Sequence, residues 1–389
     1  MKVAVFHALF SELGGGEVFA INLGRALSEL GFNVDFYSFE LNPRFHSILG
    51  DVLGRLVLLK KPSYLEFLED LSTGRLVRFR RLLLYKYLAK ILSDISHNYD
   101  LTIDTQSNIP YITDISYIHF PARIDYVLWG FRSPRKTLIL RQAYNFLLNR
   151  LIKQLCKLGR PKLILTNSSW TAKWVVKAYG DIAPINILYP PVDVEYFSEV
   201  VDRYPRENII ITISRFTPEK KLDSIVDLAK RVSNYEFVIV GTTSKYSRYV
   251  IKNIIDKVRR LKVKNLRIYT DIPRSELREL LGRAKYYLHP PFPEHFGISV
   301  VEAMAAGCIP IVYRDGGVWY DIVSKVSHIL GYEVIDEVPN IIRQLENSRD
   351  LRTWLRDNSV EISKMFSYEK FREKLSNEIN IVLKTKKLI

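Results

Sequence analysis

Cysteine is scarce in this sequence of 389 residues, and long apolar runs are missing. Cys156 and Cys308 lie far apart without Cys-x-x-Cys or Cys/His spacing, so neither a disulfide framework nor a zinc site is supported. No window approaches the roughly 18 apolar residues that read as a membrane-spanning helix. Residues 1–6 lead straight into a strand-like run rather than a signal peptide. These absences predict a cytoplasmic protein.

Acidic residues are missing from two long stretches of a chain whose formal net charge is +15. Asp and Glu are absent between Asp70 and Asp94 and again between Asp125 and Asp181, where Lys and Arg are mixed with aliphatic residues. We interpret the segments near 75–90 and 132–162 as basic amphipathic helices, which suit an anionic membrane surface. A solvated helix face over an ordinary core explains each segment equally well. No nucleic-acid partner is predicted, since stacking aromatics and a recognition motif are lacking.

Strand-like and helix-like patterns alternate along the chain and predict an α/β fold with parallel sheets. The first unit of this kind is a strand, a glycine loop, a helix over 18–30 and a second strand. The alternation restarts at Ile209, after a proline pair and a polar segment, and the length suits two cores. We predict three parts: a first Rossmann-like domain over 1–200, a second over 201–367, and a terminal helix over 368–389 that packs back on the first domain.

The segment from Pro290 to Gly307 carries the strongest functional signal. Glu294 lies in a proline-rich loop, Gly297 lets the backbone approach a ligand, and a helix then begins. The unpaired N–H groups and the dipole of a helix N-terminus suit a phosphate. Glu302 follows one turn further into this helix. Carboxylates beside a phosphate are repelled by it, so their natural partners are neutral hydroxyls such as those of a sugar.

Three further strand-end loops carry candidate residues. Arg215 and Lys220 lie five residues apart after a strand, where two cations can close on a diphosphate. Gly14-Gly15-Gly16 follows the first strand, although a simple turn explains three glycines equally well. His119 follows another strand, and a lone histidine is more often structural than catalytic.

These motifs together resemble those of the family 4 retaining glycosyltransferases, which have the GT-B fold. Glu294 and Glu302 match the E-x7-E signature, and EHFGI with VEAMAAG is especially similar to the GDP-mannose-dependent mannosyltransferases of the dolichol pathway. Arg215 and Lys220 match R-x4-K, whereas Lys221 stands where the family usually has glycine. The family also has similar glycine and histidine loops. The resemblance implies α/β GT-B architecture: two doubly wound Rossmann-like domains facing an interdomain cleft, the first for the acceptor and the second for the nucleotide sugar.

The resemblance also implies a role for each candidate residue. Glu294 would contact the transferred sugar and Glu302 the ribose, while His119 would position the donor and help to stabilise the transition state. The remaining donor-binding residues are Gly15, Gly16, Arg215, Lys220, Phe296, Gly297, Ile298 and Ser299. Of all these candidates, the predicted catalytic residues are His119, Glu294, Arg215 and Lys220. No Asp-x-Asp metal motif and no lysine context for pyridoxal phosphate occur, so neither metal nor cofactor is predicted besides the nucleotide-sugar co-substrate.

The predicted activity is retaining hexosyl transfer, with mannose moving from GDP-mannose to a lipid-linked glycan at the cytoplasmic face of a membrane. One alternative keeps the enzyme class and uses UDP-glucose or another sugar nucleotide with a glycan or lipid acceptor. A more remote alternative is a basic nucleic-acid-binding protein. An inactive scaffold is disfavoured, because both glutamates and both cations are intact.

Overall fold

The computed structural model describes residues 1–10, 14–45, 55–66, 76–124, 138–243 and 247–387. The chain forms two compact units: the first comprises Met1–Asn167, Thr171–Leu188 and Arg372–Ile389, and the second Ser168–Trp170 and Tyr189–Phe371. The sequence-based division lay at residue 200. The second unit starts earlier because Val194 and Phe197, in the helix that follows the proline pair, pack into its core.

The first unit contains a seven-stranded sheet in which every pairing is parallel. Its order is β3-β2-β1-β4-β5-β6-β7. β4, β5 and β6 are buried along their whole length, as expected for parallel strands covered on both faces. The strands are β1 Lys2–Phe6, β2 Asn33–Ser38, β3 Arg55–Leu58, β4 Leu101–Asp104, β5 Ile115–Ile118, β6 Leu163–Thr166 and β7 Ile185–Ile187, and the helices are α1 Gly15–Glu29, α2 Val77–Ile95, α3 Leu138–Cys156 and α4 Ser169–Tyr179.

The second unit repeats this arrangement with a six-stranded parallel sheet in the order β10-β9-β8-β11-β12-β13. Its strands are β8 Glu207–Ile213, β9 Glu236–Gly241, β10 Leu266–Thr270, β11 Ala284–Leu288, β12 Ile309–Tyr313 and β13 Gly331–Tyr332. Its helices are α5 Val194–Ser198, α6 Ser224–Arg231, α7 Ser247–Leu261, α8 Arg274–Arg283, α9 Ile298–Ala305, α10 Val338–Glu346 and α11 Arg349–Ser363. The prediction of two doubly wound α/β units is confirmed.

Strand order reverses once in each sheet, between β1 and β4 and between β8 and β11. Open α/β sheets bind ligands outside the carboxyl ends of the strands at such a reversal. Gly14, Gly15 and Gly16 lie after β1, Arg215 lies in the loop after β8, and Glu294 lies in the loop after β11. His119 follows β5, the strand next to β4. The topology therefore places most of the candidate residues at the two reversal points.

Both predicted basic helices form in large part and bury their aliphatic sides in the core of the first unit. α2 contributes Leu82, Leu88 and Leu92, and α3 contributes Leu148, Ile152 and Leu155. The start of the second predicted segment, 132–137, lies outside the described residues. None of the described helices is long and apolar enough to cross a bilayer.

The last helix, α12 (Tyr368–Lys387), passes into the first unit from Arg372 onward. Asn186 donates a hydrogen bond of 2.7 Å to the carboxylate of Glu378, which is 1% exposed. Lys386 Nζ lies 2.9 Å from Asp114 Oδ2. These contacts join α12 to the β5 and β7 side of the first sheet.

Candidate active site

The loop after β8 carries Arg215 and Lys220. Pro218–Lys220 forms a 3₁₀ turn that draws the Lys220 side chain inward until only 7% of it is exposed. Its ammonium lies 4.7 Å from the centre of the Phe292 ring and forms an ion pair with Glu294. Arg215 stays exposed. One cation is thus fixed against the neighbouring loop, whereas the other faces solvent.

Lys221 occupies the position at which the family usually has glycine. Its backbone adopts the left-handed conformation, with φ of 48° and ψ of 38°. This conformation costs an ordinary residue roughly 1–2 kcal/mol. The glycine-like turn is therefore present without a glycine.

Two basic side chains from the loops that follow β8 and β11 lie beside Glu294. Besides the Lys220 ammonium, His289 Nε2 lies 3.6 Å from Glu294 Oε2. Burial disfavours ionisation of Glu294, yet Lys220 and then His289 hold the pKa of its carboxyl well below the usual range. Glu294 is consequently an ionised hydrogen-bond acceptor at neutral pH.

His295 contributes almost no charge to this group. Burial lowers its pKa to about 4, with opposing influence from Glu294. Its ring stacks on Trp170 with centroids 5.9 Å apart, and Trp170 Nε1 donates a 2.9 Å hydrogen bond to Asp315. The side chain of His295 therefore anchors the loop as a neutral aromatic group.

Gly316 and Gly317 support the backbone of Glu294, and the sequence-based reasoning missed them. The Gly317 N–H donates a 2.7 Å hydrogen bond to Glu294 O, and Gly316 forms a parallel bridge with Glu294. A Cβ at Gly316 would lie 2.3 Å from Glu294 O, and one at Gly317 would lie 2.0 Å from His295 O. Two consecutive glycines that begin three residues after the last residue of an apolar strand were the available signal.

The helix α9 begins beside this loop and presents its amino end. Gly297 has φ of 106°, and Val300 N–H makes a turn bond back to Gly297 O. The amides of Ile298 and Ser299 precede that bond and point out of the helix. Ser299 Oγ lies 2.8 Å from Tyr287 Oη, and the buried Phe296 ring stacks on Tyr189. Buried aromatics thus hold an anion-compatible helix end in place.

Glu302 lies further along α9 with a side chain 17% exposed. Arg274 Nη2 of α8 is 3.8 Å from Glu302 Oε1 and 3.2 Å from Asp193 Oδ2. Burial raises the pKa of Glu302 to about 7, against the opposing influence of Arg274. This carboxyl is therefore poised to titrate near neutral pH.

In the first unit, the candidate residues meet at the amino end of α1. A Cβ added to Gly16 would lie 3.7 Å from His119 Nε2, and that nitrogen lies 3.1 Å from Thr105 O. His7, which the sequence-based reasoning did not select, lies 3.9 Å from Glu17 Oε1. Burial lowers the pKa of His7, so its imidazole is neutral at pH 7. Gly15 lies in the first turn of α1.

The predicted site residues therefore fall into two groups. The first unit holds Gly15, Gly16 and His119. The second unit holds Lys220, Glu294 and the start of α9. Arg215 lies in the same loop as Lys220, and Glu302 lies further along α9. Among the described residues, no cluster of three or more His, Cys, Asp or Glu side chains could bind a metal ion. The roles assigned to individual residues stay predictions.

Comparison with known proteins gives two family matches that together cover most of the chain. Residues 193–361 match the glycosyl transferases group 1 model, and residues 13–196 match the glycosyltransferase family 4 model. A GDP-Man:Man(3)GlcNAc(2)-PP-Dol alpha-1,2-mannosyltransferase of Neurospora crassa is 30% identical over 42% of this chain and 35% of its own length. The Homo sapiens protein of that name is 27% identical over 54% and 46%. The matched part thus spans less than half of these curated relatives.

Solved structures extend the likeness to the whole chain at the level of fold. Anabaena HepE in complex with UDP has a TM-score of 0.69 at 16% identity and covers 98% of this chain and 100% of its own. WaaG, a glycosyltransferase involved in lipopolysaccharide biosynthesis, has a TM-score of 0.68 at 15% identity over 97% and 99%. At these identities the likeness shows the fold alone, and it agrees with the two parallel α/β sheets described above.

Gly316→Ala tests whether the glycine support holds the Glu294 loop. The new Cβ would collide with the Glu294 backbone, and the alanine would have to keep the left-handed φ of 90° that Gly316 adopts. We expect thermal denaturation to show a loss of roughly 3 kcal/mol from these two effects combined. Gly180→Ala is the matched control, since Gly180 has φ of 78° with no atom within 4 Å of an added Cβ. Equal melting temperatures for the two variants would contradict the support role.

Proposed function

We propose that this chain, which belongs to the family 4 glycosyltransferases of the GT-B fold, transfers a sugar from a nucleotide sugar to a hydroxyl group of a glycan. The observation that carries the proposal is the group at the second reversal point. There a buried cation, an ionised carboxylate and the amino end of α9 occupy adjacent loops. That combination suits a ligand with an anionic diphosphate and a neutral, hydroxyl-rich sugar.

The second unit would bind the donor. Lys220, Arg215 and the amides of Ile298 and Ser299 supply positive potential for the diphosphate. Glu294 is an acceptor-only group, so it would accept hydrogen bonds from sugar hydroxyls. In the first unit, the resemblance assigns His119 to the donor and to transition-state stabilisation, with Gly15 and Gly16 near the diphosphate.

The proposed reaction retains the configuration at the anomeric carbon. The bond between that carbon and the diphosphate oxygen breaks, and the acceptor oxygen forms a new bond on the same face. The acceptor proton goes to the departing phosphate oxygen, which requires no second carboxylate. Negative charge grows on the leaving group, so Lys220 and Arg215 would stabilise the transition state more than the ground state. No metal or organic cofactor takes part in this proposal.

The proposed donor is GDP-mannose and the proposed acceptor a lipid-linked glycan. Support comes from the names of the curated relatives, which specify GDP-mannose and a dolichol-linked glycan for those proteins. UDP-glucose or another sugar nucleotide is the alternative donor. The family motifs do not determine the base or the sugar, because both are selected by the shape of the pocket.

A screen of donors tests the substrate assignment. We expect GDP-mannose to raise the melting temperature of the full chain more than UDP-glucose or UDP-N-acetylglucosamine at equal concentration, since ligand binding to the folded state stabilises it. Slow donor hydrolysis should show the same order. A larger shift with either UDP-sugar would replace GDP-mannose as the donor, and no shift with any of the three would count against glycosyl transfer.

Lys220→Ala and Glu302→Ala test the donor site. Each should abolish sugar transfer. Lys220→Ala removes a charge-stabilising group, a loss of at least about a hundredfold in an active site, and Glu302→Ala removes the proposed acceptor of the ribose hydroxyls. Lys230→Ala, which removes an exposed lysine from α6, is the control and should keep wild-type turnover. Circular dichroism establishes that each variant is folded. Wild-type turnover by either site variant would refute the assignment of that residue.

We also propose peripheral attachment to an anionic membrane at the cytoplasmic face, where a lipid-linked acceptor is accessible. The two basic helices differ in what they expose. α2 exposes Arg81, Lys86 and Lys90 but keeps its large apolar side chains at least partly buried. α3 exposes Phe146 at 68% and Leu147 at 49%, beside Arg150 and Lys153. Exposed apolar groups next to cations favour α3 as the membrane-contacting helix.

Vesicle flotation separates the two helices. Wild-type protein should float with vesicles containing phosphatidylserine and not with pure phosphatidylcholine vesicles. The double variant Phe146→Ser with Leu147→Ser should lose most of this binding, because the apolar contact is removed. Tyr249→Ser, which removes a 65%-exposed aromatic from α7 in the second unit, is the matched control and should float like the wild type. Wild-type protein that ignores acidic vesicles would defeat the attachment proposal.

A further inference from the structure

Glu302 is a largely buried carboxylate that forms no hydrogen bond with the described residues. Its side chain is 17% exposed. In the described part of the chain, no backbone or side-chain donor lies within hydrogen-bond distance of its oxygens. Buried carboxylates are normally hydrogen-bonded, and an exception points to a functional role. Under the proposed function, the missing donors are the ribose hydroxyls of the nucleotide.

Arg274 is the described cation that lies within ion-pair distance of Glu302. Its guanidinium is 3.8 Å from Glu302 Oε1, too far for a hydrogen bond, and 3.2 Å from Asp193 Oδ2. The same guanidinium lies 5.2 Å from the ring centres of Tyr196 and Phe197. Two aromatic rings and one carboxylate thus hold the cation beside Glu302 without occupying the acceptor sites of Glu302.

Among the described residues, the charged and titratable groups that interact electrostatically with Glu302 come from three elements. They are Arg274 of α8, Asp193 before α5, and Tyr287 of β11. Burial raises the pKa of Glu302 to about 7, Arg274 counteracts this shift, and Asp193 adds to it. Only the ionised carboxylate can accept hydrogen bonds from two adjacent hydroxyls with both oxygens, since the protonated form is itself a donor.

We propose that Arg274 is a positioning residue that keeps Glu302 ionised without blocking it, and thereby sets the pH range over which the second unit binds a nucleoside diphosphate. This inference rests on the proposed function, because it takes Glu302 as the acceptor of ribose hydroxyls. Asp193 opposes this effect, because it pairs with Arg274 and its own negative charge disfavours ionisation of Glu302.

The sign of the effect follows from the charges. Loss of the Arg274 charge raises the pKa of Glu302 further, so a larger fraction is protonated at neutral pH and nucleotide affinity falls. Affinity returns as the pH rises above the new pKa. Loss of the Asp193 charge has the opposite effect, since it lowers the pKa of Glu302 and extends tight binding to lower pH.

Isothermal titration of the full chain with GDP and with UDP, between about pH 6 and about pH 9, tests the proposal. Arg274→Gln should weaken binding about fivefold at pH 7 and about tenfold at pH 6, the effect of a pKa rise of about one unit from about 7, and approach the wild type at the alkaline end. Arg278→Gln is the matched control. Arg278 lies one turn later on α8, 4.1 Å from the Tyr196 ring, but pairs with Glu199 instead of Glu302. Its pH profile should match the wild type.

Asp193→Asn supplies the second arm, with its pH profile displaced toward lower pH. Three results would overturn the inference while leaving nucleotide binding intact. They are an Arg274→Gln profile equal to that of Arg278→Gln, a loss of affinity that is uniform with pH, as direct contact of Arg274 with the nucleotide would give, and an Asp193→Asn profile displaced toward higher pH. Failure of the wild-type chain to bind either nucleotide would overturn the proposed function together with this inference.

Discussion

A carboxylate that has lost most of its water is stable as an anion only when cations or donors compensate, and the partly buried Glu294 meets this condition through Lys220. The two side chains belong to loops that follow β8 and β11, neighbouring strands at the reversal of the second sheet. Sheet order, loop conformation and ionisation state are therefore coupled. A displacement of either strand end would leave one charge buried without its partner, which is strongly unfavourable.

The same pairing has a consequence for ligand binding. The Lys220 side chain is 7% exposed and paired with Glu294, so under the proposed function it would need little desolvation or reorientation to contact a diphosphate. An anionic ligand bound there would share Lys220 with Glu294, and the solvent-exposed Arg215 would lose solvent contact only on binding. Under the proposed function, the two cations of this motif would contribute in different ways: Lys220 through preorganisation and Arg215 through charge that is neutralised on binding.

Much of the fold and part of the candidate site could be predicted from sequence, because their signals are local. Apolar runs separated by helical patterns indicated both sheets. The spacing from Glu294 to Glu302 placed Glu294 in the loop before α9 and Glu302 about one turn into that helix. The support of Glu294 by Gly316, and the pairing of Glu302 with Arg274, depend on segments distant in sequence that meet only after folding. The left-handed backbone conformation of Lys221 could not be predicted either, since the turn imposes it against the preference of a lysine residue. The start of α1 was placed too late because Gly15 and Gly16 are poor helix formers that nevertheless take part in its first turn.

The contribution of α12 to the first unit also bears on the order of folding during synthesis. The first unit consists mainly of residues 1–188, yet its partners for Asp114 and Asn186, Lys386 and Glu378, emerge from the ribosome only after the entire second unit has been made. Until then the β7 side of its sheet lacks a helix that the finished protein packs against it. The first unit therefore cannot complete its contacts with α12 until residues 372–387 have been made, whereas the second unit is built from residues 168–371 alone. In this chain the domain encoded first is the one completed last.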